Sequence, residues 1–92
     1  MLLFNEICRK MFNFFQQAGS PGISGIGDAG EYWIFVEASD IKGSVDYGSR
    51  PVFVDKKTGE ARYMDWFNGH DWELHDAAKN VDVPKEYRPV YS

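Results

Sequence analysis

The stretch EYWIFVEAS, residues 31–39, decides the fold because it has the pattern of a β-strand with apolar side chains on both faces. Successive side chains of a strand point to opposite faces of the sheet. One face would hold Tyr32, Ile34 and Val36, and the other Trp33 and Phe35. Strands of this kind lie in the middle of a sheet or have their outer face covered. We therefore expect a central or covered strand here.

N-terminal to this strand, residues 3–18 show the clearest helical periodicity in the chain. Apolar side chains recur every three or four residues, and polar ones occupy the opposite half of the helix. Gly19 and Pro21 follow, where a helix is expected to end. A membrane-surface helix would need a strongly basic polar face, whereas this face has two basic residues and one acidic residue. We therefore expect a helix that packs on a sheet.

Between helix and strand lies GIGDAG, residues 25–30, which matches the pattern G-x-G-x-x-G. In dinucleotide-binding proteins this glycine turn follows a strand and opens a helix that holds the pyrophosphate. Here a predicted helix comes before the turn and a predicted strand comes after it. We therefore reject a nucleotide cofactor and interpret residues 19–30 as a glycine-rich connection. Its backbone could approach a ligand or partner closely.

C-terminal to the strand, the pattern predicts a hairpin. Val52–Val54 and Ala61–Phe67 have strand-like sequences and flank a DKKTG turn. The Asp55 carboxylate can accept hydrogen bonds from the turn backbone, and Gly59 can adopt the left-handed conformation of a bulged turn. The loop-like residues 39–50 contain a candidate short edge strand at Ile41–Tyr47.

The segment NGHDWELHDAAKN, residues 68–80, predicts a short helix capped by Asn68 or Asp71, with Lys79 in its last turn. The tail that follows carries Pro84 and Pro89 and is expected to be extended. Together the elements predict an α+β fold over residues 1–92. In it, the N-terminal amphipathic helix packs on an antiparallel sheet of three or four strands, and a short C-terminal helix follows.

Composition and charge restrict the function classes. The 92-residue chain has a formal net charge of -4, and only one acidic residue, Glu6, precedes residue 28. Such a surface repels phosphate backbones and favours basic partners, so nucleic acid is not expected as a partner. Cys8 is the only cysteine, no apolar run is long enough for a membrane span, and the first residues make a poor signal peptide. We expect a cytoplasmic protein that does not bind membranes.

The usual signatures of catalysis and metal binding are weak. His70 and His75 are five residues apart and would lie on different faces of a helix. Cys8 falls on the apolar face of the first helix, where a thiol is buried and inert. Asp65 and Asp71 could form an acid–base pair, but nothing in the sequence fixes their separation. We therefore predict no enzymatic activity, no metal and no cofactor.

What remains is a surface in residues 60–76, where acidic and aromatic residues alternate and Arg62 is the only basic residue besides the histidines. Acidic residues around aromatic anchors suit a protein-binding patch for a basic partner. The predicted partner-binding residues are Asp65, Trp66, Asp71, Trp72, Glu73 and Asp76. The alternative is that the aromatic side chains pack in the core and the acidic ones are merely solvated. The sequence supports both equally.

The segments YWIFVEAS and RPVFVDKKTGEA, with the polar residues between them, resemble the immunity protein 35-type domain of bacterial polymorphic toxin systems. The shared pattern is an aromatic strand, a polar stretch, a proline, a hydrophobic run ending in Val-Asp, a basic pair and Thr-Gly-Glu. It covers about residues 31–67. The resemblance implies a small cytoplasmic protein that binds a cognate toxin and blocks it. It implies structural roles for Asp55 and Gly59 in the turn and for Val52 and Val54 in the core.

Three hypotheses follow. The first is a protein-binding module of the immunity type, which would block a toxin with an acidic, aromatic face. The second is a small ligand-binding or enzymatic domain with a pocket between helix and sheet. It predicts a sizeable cavity and a buried ionisable group near residues 19–30 or 65–76. The third is a subunit whose apolar helix face completes a larger assembly. The partner and the oligomeric state stay open.

Overall fold

The computed structural model describes residues 3–38 and 51–89. In chain order the elements are α1 (Phe4–Gln17), β1 (Ile23–Asp28), β2 (Tyr32–Glu37), β3 (Val52–Asp55), β4 (Ala61–Tyr63), α2 (Gly69–Ala77), β5 (Lys79–Val81) and a short 3-10 helix (Lys85–Tyr87). The strands form one antiparallel sheet in the order β4-β3-β2-β1-β5. The predicted α+β class is confirmed, with five strands in the sheet rather than three or four.

Helix α1 follows its predicted limits within one residue at each end. It ends because Gly19 adopts a φ of 93°, a left-handed conformation that costs glycine little. The amide of Gly19 donates to the carbonyl of Gln16 at 3.0 Å, and that of Ser20 donates to Phe15 at 2.9 Å. This pair of bonds is a Schellman motif, which satisfies carbonyls left without partners at the end of the helix.

Strand β2 lies in the centre of the sheet, and its two faces are both buried, as the pattern EYWIFVEAS predicted. Phe35 packs in a core beneath α1, whereas Ile34 packs in a second core beneath α2. The α1 core contains the following buried residues: Ile7, Cys8, Met11, Phe15, Ile23, Ile26, Phe35, Val52, Val54 and Tyr87. Four residues of the apolar stripe of α1, Ile7, Cys8, Met11 and Phe15, are buried against the sheet of the same chain, whereas Phe14 is 42% exposed.

The prediction that residues 19–30 form a connection is wrong, because half of this stretch is strand β1. Ile23 and Ile26 both enter the α1 core although they are three positions apart in the sequence. The β1–β2 register is irregular between Ile23 and Gly25. A β-bulge there adds one residue to β1, so that the side chains of Ile23 and Ile26 point to the same face of the sheet. The odd spacing of the isoleucines hides the period of two that identifies a strand in sequence.

The structure explains why glycine occupies two positions of GIGDAG, Gly27 and Gly30. Gly27 lies on the α2 face of β1, and a Cβ atom there would be 3.1 Å from the Cβ of Ala78. Gly30 adopts a φ of 82° in the turn between β1 and β2, and its amide donates to Asp28 Oδ1 at 3.0 Å. Gly27 therefore allows close packing of β1 on Ala78, and Gly30 allows a tight turn.

Two glycines of β1 provide a matched test of this packing. We expect Gly27→Val to lower the free energy of unfolding by about 1–3 kcal/mol, because the added side chain overpacks the contact with Ala78. Gly25→Val is the control, since a Cβ at this position meets only the Val36 Cβ at 4.0 Å. Chemical denaturation of both variants measures the difference. Equal stability of the two would contradict the assigned role of Gly27.

The predicted hairpin is confirmed in its turn. Asp55 Oδ1 accepts hydrogen bonds from the amides of Lys57 at 2.7 Å and Thr58 at 3.2 Å, and Gly59 has a φ of 76°. Strand β4 is shorter than the predicted Ala61–Phe67, because the chain leaves the sheet after Tyr63. The candidate edge strand Ile41–Tyr47 lies outside the described residues.

The C-terminal part differs from the sequence prediction in two places. Lys79 does not lie in the last turn of α2 but begins β5, which pairs with β1. The tail is not simply extended, because residues 85–87 form a 3-10 helix whose Tyr87 is buried beneath α1. Within residues 3–38 and 51–89, no helix is long and apolar enough to span a membrane.

Candidate protein-binding surface

A bidentate ion pair joins β4 to α2. Asp71, in the first turn of α2, accepts a hydrogen bond from Arg62 Nη1 at 2.7 Å and one from Nη2 at 2.8 Å. The amide of Asp65 donates to the same carboxylate at 2.9 Å. Asp71 is 1% exposed, so it lies beneath the surface rather than on it. The helix cap is Asn68, and Asp71 is therefore a link between strand, turn and helix.

The negative charge of Asp71 neutralises most of the positive charge of Arg62. The hydrogen bonds from Arg62 lower the pKa of Asp71 to about 2, although burial opposes them, and the Asp65 amide and His70 also favour the ionised carboxylate. The same hydrogen bonds raise the pKa of Arg62 above its usual value. Both groups stay ionised at neutral pH, and Arg62 adds little net positive charge to the surface above it.

The turn of residues 65–68 is held by three hydrogen bonds. The Phe67 amide donates to Asp65 Oδ1 at 3.0 Å, and the Asn68 amide donates to the Asp65 carbonyl at 3.1 Å. Asn68 Oδ1 accepts from the His70 amide at 2.9 Å, which caps α2 as the sequence predicted. The backbone that carries Phe67 is therefore fixed on both sides.

Phe67 is 96% exposed on this turn. It directly precedes the helix cap, a position from which an apolar residue often packs on the fourth helical residue. That residue is Trp72, but its contact is made by Trp66, whose ring centroid lies 5.0 Å away. Trp72 Nε1 also donates to the Trp66 carbonyl at 2.8 Å. Phe67 thus does not make the contact that would hold the helix, and among the described residues it belongs to neither hydrophobic core.

The two tryptophans answer the question that the sequence left open. Trp72 is partly buried against the core beneath α2, whereas Trp66 is 38% exposed. Glu73 and Asp76 lie on α2 with largely exposed side chains, and Glu73 also lines a cleft with Asp28 and Leu74. Aromatic and acidic side chains of this segment are therefore both exposed, and the aromatic residues are divided between surface and core.

We call the surface formed by Asp65, Trp66, Phe67, Trp72, Glu73 and Asp76 the aromatic–acid surface. Five of the predicted partner-binding residues belong to it, and Asp71 supports it from below. Phe67 is the residue that the predicted set lacked. The sequence prediction placed Phe67 at the end of the strand Ala61–Phe67, whereas the structure shows it exposed on a turn, with Trp66 in contact with Trp72.

A cleft beside α2 is the alternative site. Its volume is about 570 Å³, and it is open to solvent. It is lined by Asp28, Ala29, Gly30, His70, Glu73, Leu74, Ala77 and Lys79. Asp28 pairs with Lys56 at 2.6 Å, and the buried ionisable Asp71 is not part of the lining. Among the described residues, every buried polar side-chain atom has a hydrogen-bond partner. The cleft therefore offers a ligand space but no buried polar group awaiting a partner.

Catalysis or metal binding would need a reactive thiol or a cluster of His, Cys, Asp or Glu side chains. Cys8 is fully buried on the sheet-facing side of α1, and burial raises the pKa of its thiol to about 11, so it stays protonated at neutral pH. In the described part of the chain, no three His, Cys, Asp or Glu side chains lie close enough together to hold a metal ion.

Comparison of the chain with family models, with curated proteins and with solved structures found no match. The resemblance to immunity proteins therefore stays a prediction from the quoted motifs. In the structure, the motif residues have the roles that the resemblance implies. Asp55 and Gly59 shape the β3–β4 turn, and Val52 and Val54 fill the α1 core.

Proposed function

We propose that the protein is a binding module that recognises a basic protein partner through the aromatic–acid surface. The observation that carries the proposal is the near-complete exposure of Phe67 on a turn whose backbone is fixed by hydrogen bonds. An exposed phenylalanine on a rigid support contributes nothing to folding, whereas it contributes strongly when a partner buries it. Because the turn is already ordered, binding costs little conformational entropy there.

The charges around Phe67 determine the kind of partner. Asp65, Glu73 and Asp76 are exposed, and the one arginine of the segment is neutralised by Asp71. Acidic groups at the rim of an apolar anchor attract basic surfaces and raise the association rate. The expected interface therefore has an aromatic centre and an electrostatic rim.

The finer proposal is that the partner is a toxin, which the protein neutralises by covering its active site. The resemblance to immunity proteins supports it, and so does the separation of the structural motif residues from the exposed surface residues. The motif residues build the β3–β4 hairpin, and the aromatic–acid surface begins directly after it.

Co-expression with the protein encoded by the adjacent gene tests this function. We expect the adjacent protein to arrest growth when expressed alone, and we expect this protein to restore growth and to co-purify with it. A Trp66→Ala, Phe67→Ala double variant should fail to protect while it accumulates to the same level. An adjacent protein that is harmless, or that does not bind, would make us abandon the toxin proposal.

A further inference from the structure

Among the strands of residues 3–38 and 51–89, β4 forms one edge of the sheet, and its hydrogen-bond register identifies which backbone groups point outward. The Asp55 amide donates to the Glu60 carbonyl at 2.9 Å, and the Met64 amide donates to the Pro51 carbonyl at 2.8 Å. Bonded and non-bonded pairs alternate along an antiparallel ladder. Ala61 therefore directs its N–H and C=O away from β3, as does Tyr63.

This edge is exposed and lies between two aromatic groups. On the α1 side, Tyr63 is 52% exposed and its ring centroid lies 6.3 Å from that of Phe14, which is 42% exposed. On the α2 side, the chain runs from Tyr63 into Trp66 and Phe67 of the aromatic–acid surface. In the part of the chain that the structure describes, four of the five exposed large apolar residues belong to these two groups.

We propose that an extended, basic segment of the protein partner adds to the sheet as a sixth strand beside β4. The added strand would bond to the outward groups of Ala61 and Tyr63, with Phe14 and Tyr63 on one face and Phe67 on the other. This inference rests on the proposed function, and it names the part of the partner that the surface recognises. Strand addition of this kind supplies affinity through main-chain bonds and specificity through alternate side chains.

Charge complementarity selects a basic segment. Glu60 and Asp65 flank the strand, and Arg62 between them is bound to Asp71. Of the described basic residues near the hairpin turn, only Lys56 has an acidic partner, whereas Lys10 and the exposed Lys57 keep their charge. Lys56 pairs with Asp28, and Lys10 donates to the Gly59 carbonyl at 2.8 Å. An acidic or neutral strand would gain less at this edge than one carrying lysine or arginine.

The test replaces Ala61 with proline, which has no backbone N–H and therefore cannot donate a hydrogen bond to an added strand. Because the Ala61 amide points outward, Ala61→Pro should leave the β3–β4 ladder intact and remove one bond to the added strand. We expect it to weaken binding of the adjacent-gene product at least tenfold. Ala61→Val is the matched control and should bind like the natural protein, because it keeps the N–H. Thermal melting checks that both variants fold.

Amide hydrogen exchange of the natural protein gives a second readout that needs no variant. In the complex, we expect the amides of Ala61 and Tyr63 to exchange at least tenfold more slowly than in the free protein. If Phe67→Ala weakens binding while these amides and Ala61→Pro show no effect, the strand proposal is overturned and the binding function stands. If the natural protein does not bind the adjacent-gene product, both proposals fail together.

Discussion

Replacing Arg62 with alanine is expected to lower the free energy of unfolding by about 2 kcal/mol at pH 7, less than for a fully buried pair because the Arg62 side chain is 44% exposed. The substitution leaves the carboxylate of Asp71, which is 1% exposed, with the Asp65 amide as its remaining close donor. It also removes the guanidinium from above the Phe53 ring, whose centroid lies 5.0 Å away. A buried charge without its partner is among the few changes that cost a small domain this much.

The loss should depend on pH in a direction that the pKa of Asp71 fixes. In the natural protein this pKa is lowered to about 2, so the ion pair stabilises the fold above the ordinary value of 3.8 and is lost as the pH falls toward 2. Without Arg62, the largest cause of the lowered pKa of Asp71 is gone, while burial still disfavours the ionised carboxylate. We therefore expect the difference between variant and natural protein to shrink between pH 4 and pH 2.

Urea denaturation at pH 7 and at a series of lower pH values measures both effects. Arg9→Ala is the matched control, since it removes the same charge from the exposed face of α1, and it should change stability by less than about 0.5 kcal/mol. An Arg62→Ala protein as stable as the control at pH 7, or a loss that does not change with pH, would contradict the role assigned to the ion pair.

The second large effect is expected on binding. Replacing Phe67 with alanine should weaken the complex with the partner by about 2–4 kcal/mol, which is roughly 30-fold to 1000-fold. The same change should leave the free energy of unfolding within about 0.5 kcal/mol of its natural value, because the exposed ring contacts no core residue. A large effect on binding with almost none on folding distinguishes a recognition residue from a structural one.

Much of the fold could be predicted because its signals are local. The stripe of α1, the two apolar faces of β2, the DKKTG turn and the Asn68 cap each depend on residues close together in sequence. Strand β1 could not be predicted because a bulge disrupts its alternation. Strand β5 spans only Lys79–Val81, and two of its three residues are exposed and polar, so pairing with β1 determines it rather than its own pattern.

The site was predictable only in part, for a related reason. Composition identifies residues 60–76 as acidic and aromatic, but it does not say which side chains remain at the surface. Asp71 lies below the surface because the register of β4 brings Arg62 to it across nine positions of sequence. Phe67 is exposed because Trp66 packs on Trp72 in its place. Both outcomes depend on tertiary packing.

The central claim is that Phe67 is an anchor for a protein partner, and calorimetric titration tests it most directly. The adjacent-gene product is titrated with the natural protein, with Phe67→Ala and with Leu3→Ala, which removes another exposed apolar side chain at the far end of α1. We expect tight binding by the natural protein and the Leu3 variant, and at least 30-fold weaker binding by the Phe67 variant. Equal affinities for all three proteins would contradict the claim.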